Sequence, residues 1–213
     1  MVTVSEDGYS LLNLAICGNL VWMVRIILGM VRDQLTASNR KAIYNMFNAR
    51  EHGTGFTCVH EAAGIEGAHE CLSLLISYNE KYFDGNMVRL DAGDLNGRTA
   101  LMIACLNGNV HAVNALLDAE SPSVDCNKCD NNGNSVLLYA VESGKADVVQ
   151  ALVRHPEHCR LLDREELLHA KEAAKVQRCR QIEKMLGDVY ALLNAKSSTL
   201  YMTDEEDLAD SSD

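Results

Sequence analysis

Four segments of this chain superimpose on a single glycine: Gly8–Ala15, Gly55–Ala62, Gly97–Ala104 and Gly133–Ala140. Each reads glycine, any residue, serine or threonine, then a short run dominated by Leu, Ala and other apolar residues. The glycine closes a tight turn, the hydroxyl caps a helix N-terminus, and the apolar side chains face a core. A recurring unit this small cannot bury its oily side alone, so the pattern predicts units stacked in single file, each covering the next.

A second set of glycines divides each unit into two helices. Gly108 and Gly144 lie eleven residues after Gly97 and Gly133, where they stop a first short helix, and the equivalent glycine slips one place to Gly18 and Gly67 in the first two units. Beyond them, Val113, Leu116 and Leu117, and then Val148, Val149, Leu152 and Val153, recur at helical spacing. Upstream of each turn another register repeats, with Phe47-Asn48, Leu90-Asp91, Cys126-Asn127 and Cys159-Arg160 preceding the acidic Glu51, Asp94, Asp130 and Asp163.

With these motifs in register, the chain resembles the ankyrin-repeat family, best over residues 94 to 126 and 130 to 159. The resemblance implies an all-α solenoid of about four repeats. The units fall near 5–50, 51–93, 94–129 and 130–162, followed by a divergent capping helix pair at 163–195 and an acidic, disordered tail at 196–213. Two departures carry expectations of their own. The family's motif proline is replaced by Leu11, Cys58, Ala100 and Val136, and its histidine survives only as His60, which predicts weaker capping of the first helices. The aligned glycines are 47, 42 and 36 residues apart, against about 33 for the family, so insertions are expected at 29–46 and 77–89.

Composition narrows the function. The net charge is −11, and six of those charges (Asp204, Glu205, Glu206, Asp207, Asp210, Asp213) sit in the last ten residues, leaving −5 for the body. A chain without a basic face is a poor ligand for phosphate backbones, so nucleic acid is not an expected partner. No apolar run approaches the roughly 20 residues of a membrane span, and no basic stretch precedes an apolar core at the N-terminus, so a cytoplasmic or nuclear protein is expected. Eight cysteines are scattered through apolar stretches rather than set at framework spacings, which reads as reduced thiols.

Catalytic motifs are missing: His60-Glu61 begins a zinc-protease pattern, but Gly64 stands where its second histidine belongs, and no phosphate loop or nucleophile elbow occurs. Neither an enzyme nor a cofactor is expected. The alternative from a different class is a metal-dependent regulator or enzyme using Cys126, Cys129, His155, His158 and Cys159, five residues that could serve zinc. Against it, Cys126 and Cys159 take the joint position held elsewhere by Phe47 and Leu90, as small core residues.

What remains is a surface for another protein. The resemblance places partner contacts at the turn tips and on the exposed side of the first helices, here Phe56, Leu95, Asn96, Arg98, Leu106, Asn107, Asn131, Asn132, Asn134, Glu142 and Ser143. Phe56, Leu95 and Leu106 are expected to line a mildly apolar groove. The leading reading is an adaptor or inhibitor; a narrower one likens the chain to the ankyrin inhibitors of Rel/NF-kappaB transcription factors, on its long early joints and acidic tail. Residues 21–28, around Trp22, are apolar nearly all round, which is odd for a terminal unit. An extra helix over 39–47 is expected to fold across that face, with a partner protein, self-association or upstream residues as the alternatives. The acids beside Thr203, Ser211 and Ser212 also suit an acid-directed kinase.

Overall fold

A computed structural model of the chain describes residues 5–120, 123–155 and 164–206. The helices run in chain order as α1 (Leu11–Cys17), α2 (Val21–Gln34), α3 (Arg40–Phe47), α4 (Cys58–Gly64), α5 (His69–Phe83), α6 (Ala100–Leu106), α7 (Val110–Leu117), α8 (Val136–Glu142), α9 (Ala146–Arg154), α10 (Arg164–Val176) and α11 (Arg180–Glu206). Among the described residues they form five helix pairs, α1 with α2, α4 with α5, α6 with α7, α8 with α9 and α10 with α11. First helices pack on first helices and second on second down the stack, making two layers with one continuous core between them. The described residues contain no strand, only an isolated bridge between Cys129 and Ser135. None of their helices is long and apolar enough to cross a membrane.

Each first helix starts where the hydroxyl predicts. Ser10, Thr57, Thr99 and Ser135, two residues after the aligned glycines, are the N-caps of α1, α4, α6 and α8. The place of the histidine is taken by other acceptors in two units and left empty in a third, where Ser135 Oγ accepts from the Leu138 N–H with no bond in return. Asn13 replaces the histidine in the first unit, its Oδ1 accepting from the Ser10 N–H while Ser10 Oγ accepts from the Asn13 N–H. His60 does the same for Thr57, and Met102 Sδ takes the Thr99 N–H. A side chain three residues into the helix needs only an acceptor to close this box.

The helix stops share one geometry rather than one residue type. Gly67, Gly108 and Gly144 are left-handed, but so are Asn19 and Arg178, which hold the same place in the first and last units. Gly18 is not the stop; its φ is −79° and it lies within the helical turn. The left-handed residue is worth its cost because it turns the chain into the second helix, and asparagine tolerates it best after glycine.

Both expected insertions lengthen second helices. At the first, α2 reaches Gln34 and α3 follows; at the second, α5 reaches Phe83 and a loop closes around Asn79. Helix α3 forms where expected but goes elsewhere. It buries Ile43, Met46 and Phe47, sets Phe47 edge-on to Phe83 at 6.0 Å, and is tied by Asn48 to the Met87 carbonyl and Arg89 N–H. Trp22, Ile26 and Met30 therefore stay 60%, 53% and 55% exposed. Phe47 holds the joint position that Leu90 and Cys126 hold in later units and is fully buried there, which directs α3 to the joint rather than across α2.

The backbone of α11 continues to Glu206, past the boundary set at 195. His158, Cys159, Ser211 and Ser212 lie outside the described residues.

Candidate functional site

Among the described residues, the turns between units are organised by their acids. Asp94 Oδ1 accepts the N–H groups of Asn96 and Arg98, both at 2.8 Å, while Oδ2 takes Arg98 Nε and Nη2 at 2.8 Å. Asp130 Oδ1 accepts from Asn132 and Asn134 N–H, and its Oδ2 from the Tyr139 hydroxyl at 2.8 Å. Burial alone would raise the Asp130 carboxyl, but the Asn134 N–H, the Tyr139 hydroxyl and the remaining donors outweigh it and hold it below the ordinary range. Burial and that same carboxylate push the Tyr139 phenol up to about 12. Glu51, in the longer second turn, accepts from the Gly53 and Thr54 N–H groups.

These turns are then stitched to one another along the stack. The His52 N–H donates to Asp7 O at 3.0 Å, Leu95 N–H to Thr54 O at 2.9 Å, and Asn131 N–H to Asn96 O at 2.9 Å. Arg50 reaches over the joint to Gly93 O at 2.7 Å. A row of turn tips linked by backbone hydrogen bonds is a rigid edge, and side chains projecting from it are pre-placed for contact.

His60 locks the same joint from beneath. Its Nδ1 accepts the Thr57 N–H at 3.2 Å, which assigns the proton to Nε2, and Nε2 donates to Arg98 O at 3.0 Å. Burial first, then the neighbouring Arg50 and Arg98 cations, hold the imidazole below its usual 6.5, against the opposing pull of Arg98 O and Asp94. The native state keeps the ring neutral while the unfolded chain takes up a proton first. Its contribution is therefore complete above pH 6.5 and is lost as pH falls below that value towards the lowered native one. Urea midpoints should drop more between about pH 7.5 and about pH 5.5 in the wild type than in His60→Gln; equal drops would assign the joint's acid sensitivity to other groups.

The expected contact residues divide into two clusters. Phe56, Leu95, Asn96, Arg98, Asn131, Asn132 and Asn134 gather at the tips. Leu106, Asn107, Glu142 and Ser143 lie at the other ends of α6 and α8, roughly 10 Å along helices of this length. At the tips Leu95 is 60% exposed, and Asn96, Asn131 and Asn132 are exposed. Phe56 and Arg98 are only half-exposed: the Phe56 ring stacks on His60 at 5.4 Å, and the Arg98 guanidinium lies 6.0 Å from its centroid while paired to Asp94. Leu106 is a correction, since it packs against the core instead of lining an apolar groove with Phe56 and Leu95. Asn107, Glu142 and Ser143 edge the far cluster, where Lys145 Nζ donates to the Asn107 and Gly108 carbonyls.

One group escaped the sequence reading. Tyr9 holds the same place after its glycine as Phe56, Arg98 and Asn134, and its hydroxyl lies 3.5 Å from Glu61 on the next unit's first helix. Burial, ahead of the charge of Glu51, lifts the Glu61 carboxyl above its ordinary value despite the Cys17 and Tyr9 contacts. The column alignment contained this signal at Tyr9; that Glu61 meets it requires the stacking.

Of the cysteine and histidine group, Cys126 is buried at 5% exposure, like Phe47 and Leu90 in the same register, whereas Cys129 is exposed. Their thiols point to their own backbones, at Val124 O and Asn127 O. Among the described residues no three His, Cys, Asp or Glu side chains are placed to hold a metal ion.

Comparison with known proteins bears on this geometry. A family model described as ankyrin repeats, three copies, matches residues 30–118 and 59–163. Over 62 residues the chain is 39% identical to a human protein named photoreceptor ankyrin repeat protein, a match that covers 29% of this chain and 13% of that protein.

Proposed function

The chain belongs to the ankyrin-repeat family, and from that premise we propose that it holds a partner protein against its second, third and fourth turn tips, as an adaptor or inhibitor. Ankyrin repeats generally mediate protein–protein interaction. The observation that carries the reading is Leu95. Its side chain is 60% exposed on a tip whose own N–H is fixed to the preceding turn and whose carbonyl is held by Asn131 Nδ2. A large apolar group displayed on a rigid edge does nothing for the core and loses little entropy when covered.

Around Leu95 the surface offers the edge of Phe56, the Asn96 amide and the Arg98 guanidinium. A partner with an apolar anchor flanked by hydrogen-bonding groups fits this arrangement. A photo-crosslinking amino acid in place of Leu95 is expected to capture the partner covalently, and Leu95→Asp to weaken its binding by at least about tenfold, or about 1.4 kcal/mol. Helix content should not change, because Leu95 packs on no core residue. Undiminished binding by Leu95→Asp would reject the tips as the contact.

A further inference from the structure

The other end of the stack carries an apolar face that α3 leaves open. Leu11 and Leu14 of α1 are 56% and 53% exposed, beside Trp22, Ile26 and Met30 of α2. The columns of Leu11 and Ile26 are covered in later units, whereas that of Trp22 holds the exposed polar residues Glu70, His111, Asp147 and Gln181 there, so a large apolar ring is peculiar to the first unit. The counterparts of Leu11 are Cys58, Ala100 and Val136, exposed by 0%, 0% and 2% beneath the preceding unit. The counterparts of Ile26, counted from the left-handed stop, are Leu74, Ala115, Ala151 and Met185, all packed against the core. The first unit thus presents a surface whose residue types suit burial under another helix pair.

We propose that this face binds its counterpart on a second copy of the chain, α2 against α2, in a twofold end-to-end dimer. Three features of α2 favour a second copy. First, Trp22, Arg25, Ile26, Gly29, Met30 and Asp33 share one arc of about 140° at helical spacing. Second, a Cβ built on Gly29 meets nothing within 4 Å. A glycine inside a helix costs about 1 kcal/mol relative to alanine, and here its missing side chain leaves a shallow notch at the middle of the arc, where another backbone can approach. Third, Arg25 and Asp33 stand four residues to either side of Gly29. In an antiparallel pair crossing at Gly29, Arg25 of each copy falls opposite Asp33 of the other, so the contact is complementary to itself in charge as in shape. Arg25 makes no ion pair among the described residues, and Asp33 pairs only with its exposed neighbour Arg32.

The five half-exposed apolar side chains offer on the order of 500 Å² per copy. With a polar rim this approaches the roughly 800 Å² per partner of an ordinary specific contact, which fits a dimer dissociating in the micromolar range. The contact uses none of the tip residues assigned above to a partner protein, so it stands or falls separately from that reading.

Trp22 is the single tryptophan of the chain and reports the contact directly. Sedimentation of the full chain from about 1 µM to about 200 µM is expected to show mass rising to twice the monomer, with Trp22 emission shifting to the blue in step. Ile26→Glu should remain monomeric with unchanged helix content and melting temperature, since Ile26 is exposed. Arg25→Asp should weaken association about tenfold or more by opposing two aspartates, and combining it with Asp33→Arg should restore it. A monomeric mass throughout overturns the proposal, as does a dimer that survives Ile26→Glu, a dimer with no change in Trp22 emission, or a double charge exchange that fails to recover association.

Discussion

Replacing Asn79 by Ala is expected to lower the free energy of unfolding by about 3 kcal/mol. The side chain is completely buried near the start of the α5 insertion and serves four backbone groups. Its Oδ1 accepts the Met87 and Val88 N–H groups at 3.0 and 2.9 Å, and its Nδ2 donates to the Gly85 and Val88 carbonyls at 3.1 and 3.3 Å. Met87 and Val88 are themselves buried, so these groups cannot all turn to water once the amide is gone. Each stranded group costs about 1 kcal/mol or more, with some recovery by relaxation. Asn86→Ala, in the same loop but exposed, is the control and should lie within about 0.5 kcal/mol of wild type. Urea unfolding followed by circular dichroism decides the matter, and early loss of hydrogen-exchange protection at Met87 and Val88 would localise it. An unchanged midpoint in Asn79→Ala would mean the loop is held by its hydrophobic residues alone.

Gly97→Ala is expected to cost about 2 to 3 kcal/mol, more than the same change at Gly133. Both glycines are left-handed, with φ of +79° and +84°, so alanine brings about 1 to 2 kcal/mol of backbone strain at either. Their surroundings differ. A Cβ at Gly97 would lie 2.5 Å from Asn131 Oδ1 and 2.9 Å from Asn131 N, whereas at Gly133 it meets nothing within 4 Å. Asn131 N–H is the donor that ties the fourth tip to Asn96 O, so the added methyl group must also displace a stitch between units, worth about 1 kcal/mol more. Denaturation of the two variants side by side isolates that difference, and equal losses would show that the tips are not mechanically linked. The same pair separates stability from recognition: Gly97→Ala should also weaken a partner bound at Leu95, while Gly133→Ala should affect it less.

The parts of this molecule that could be read beforehand are those specified within a few residues. Ser10, Thr57, Thr99 and Ser135 cap helices because the groups they bond lie up to three residues ahead, and the acids of the turns act on N–H groups two to four residues away. The same locality explains why Asn13 could replace a histidine in its cap without disturbing α1. The stop at Asn19 was misplaced by one residue because a neighbouring glycine is the stronger signal by composition, while the left-handed conformation is imposed by where the second helix must go.

The exposure of the proposed contact residues follows the same division. Leu95, Asn96, Asn131 and Asn132 are exposed, since a residue at the apex of a turn has no neighbour to bury it. Leu106, Phe56 and Arg98 are less exposed because tertiary packing supplies partners: the core beneath Leu106, His60 behind Phe56, and Phe56 under Arg98.

From residues alone, then, came the unit, its two helices, their caps and the single-file stack, all consequences of short-range hydrogen bonding and a repeated apolar face. Tertiary structure alone decided where α3 docks, how Asn79 holds its loop, how tip joins tip, and that the α2 face around Trp22 stays open. Those outcomes depend on which of several apolar surfaces a segment reaches first in space, a competition between buried areas in which distance along the chain carries no weight.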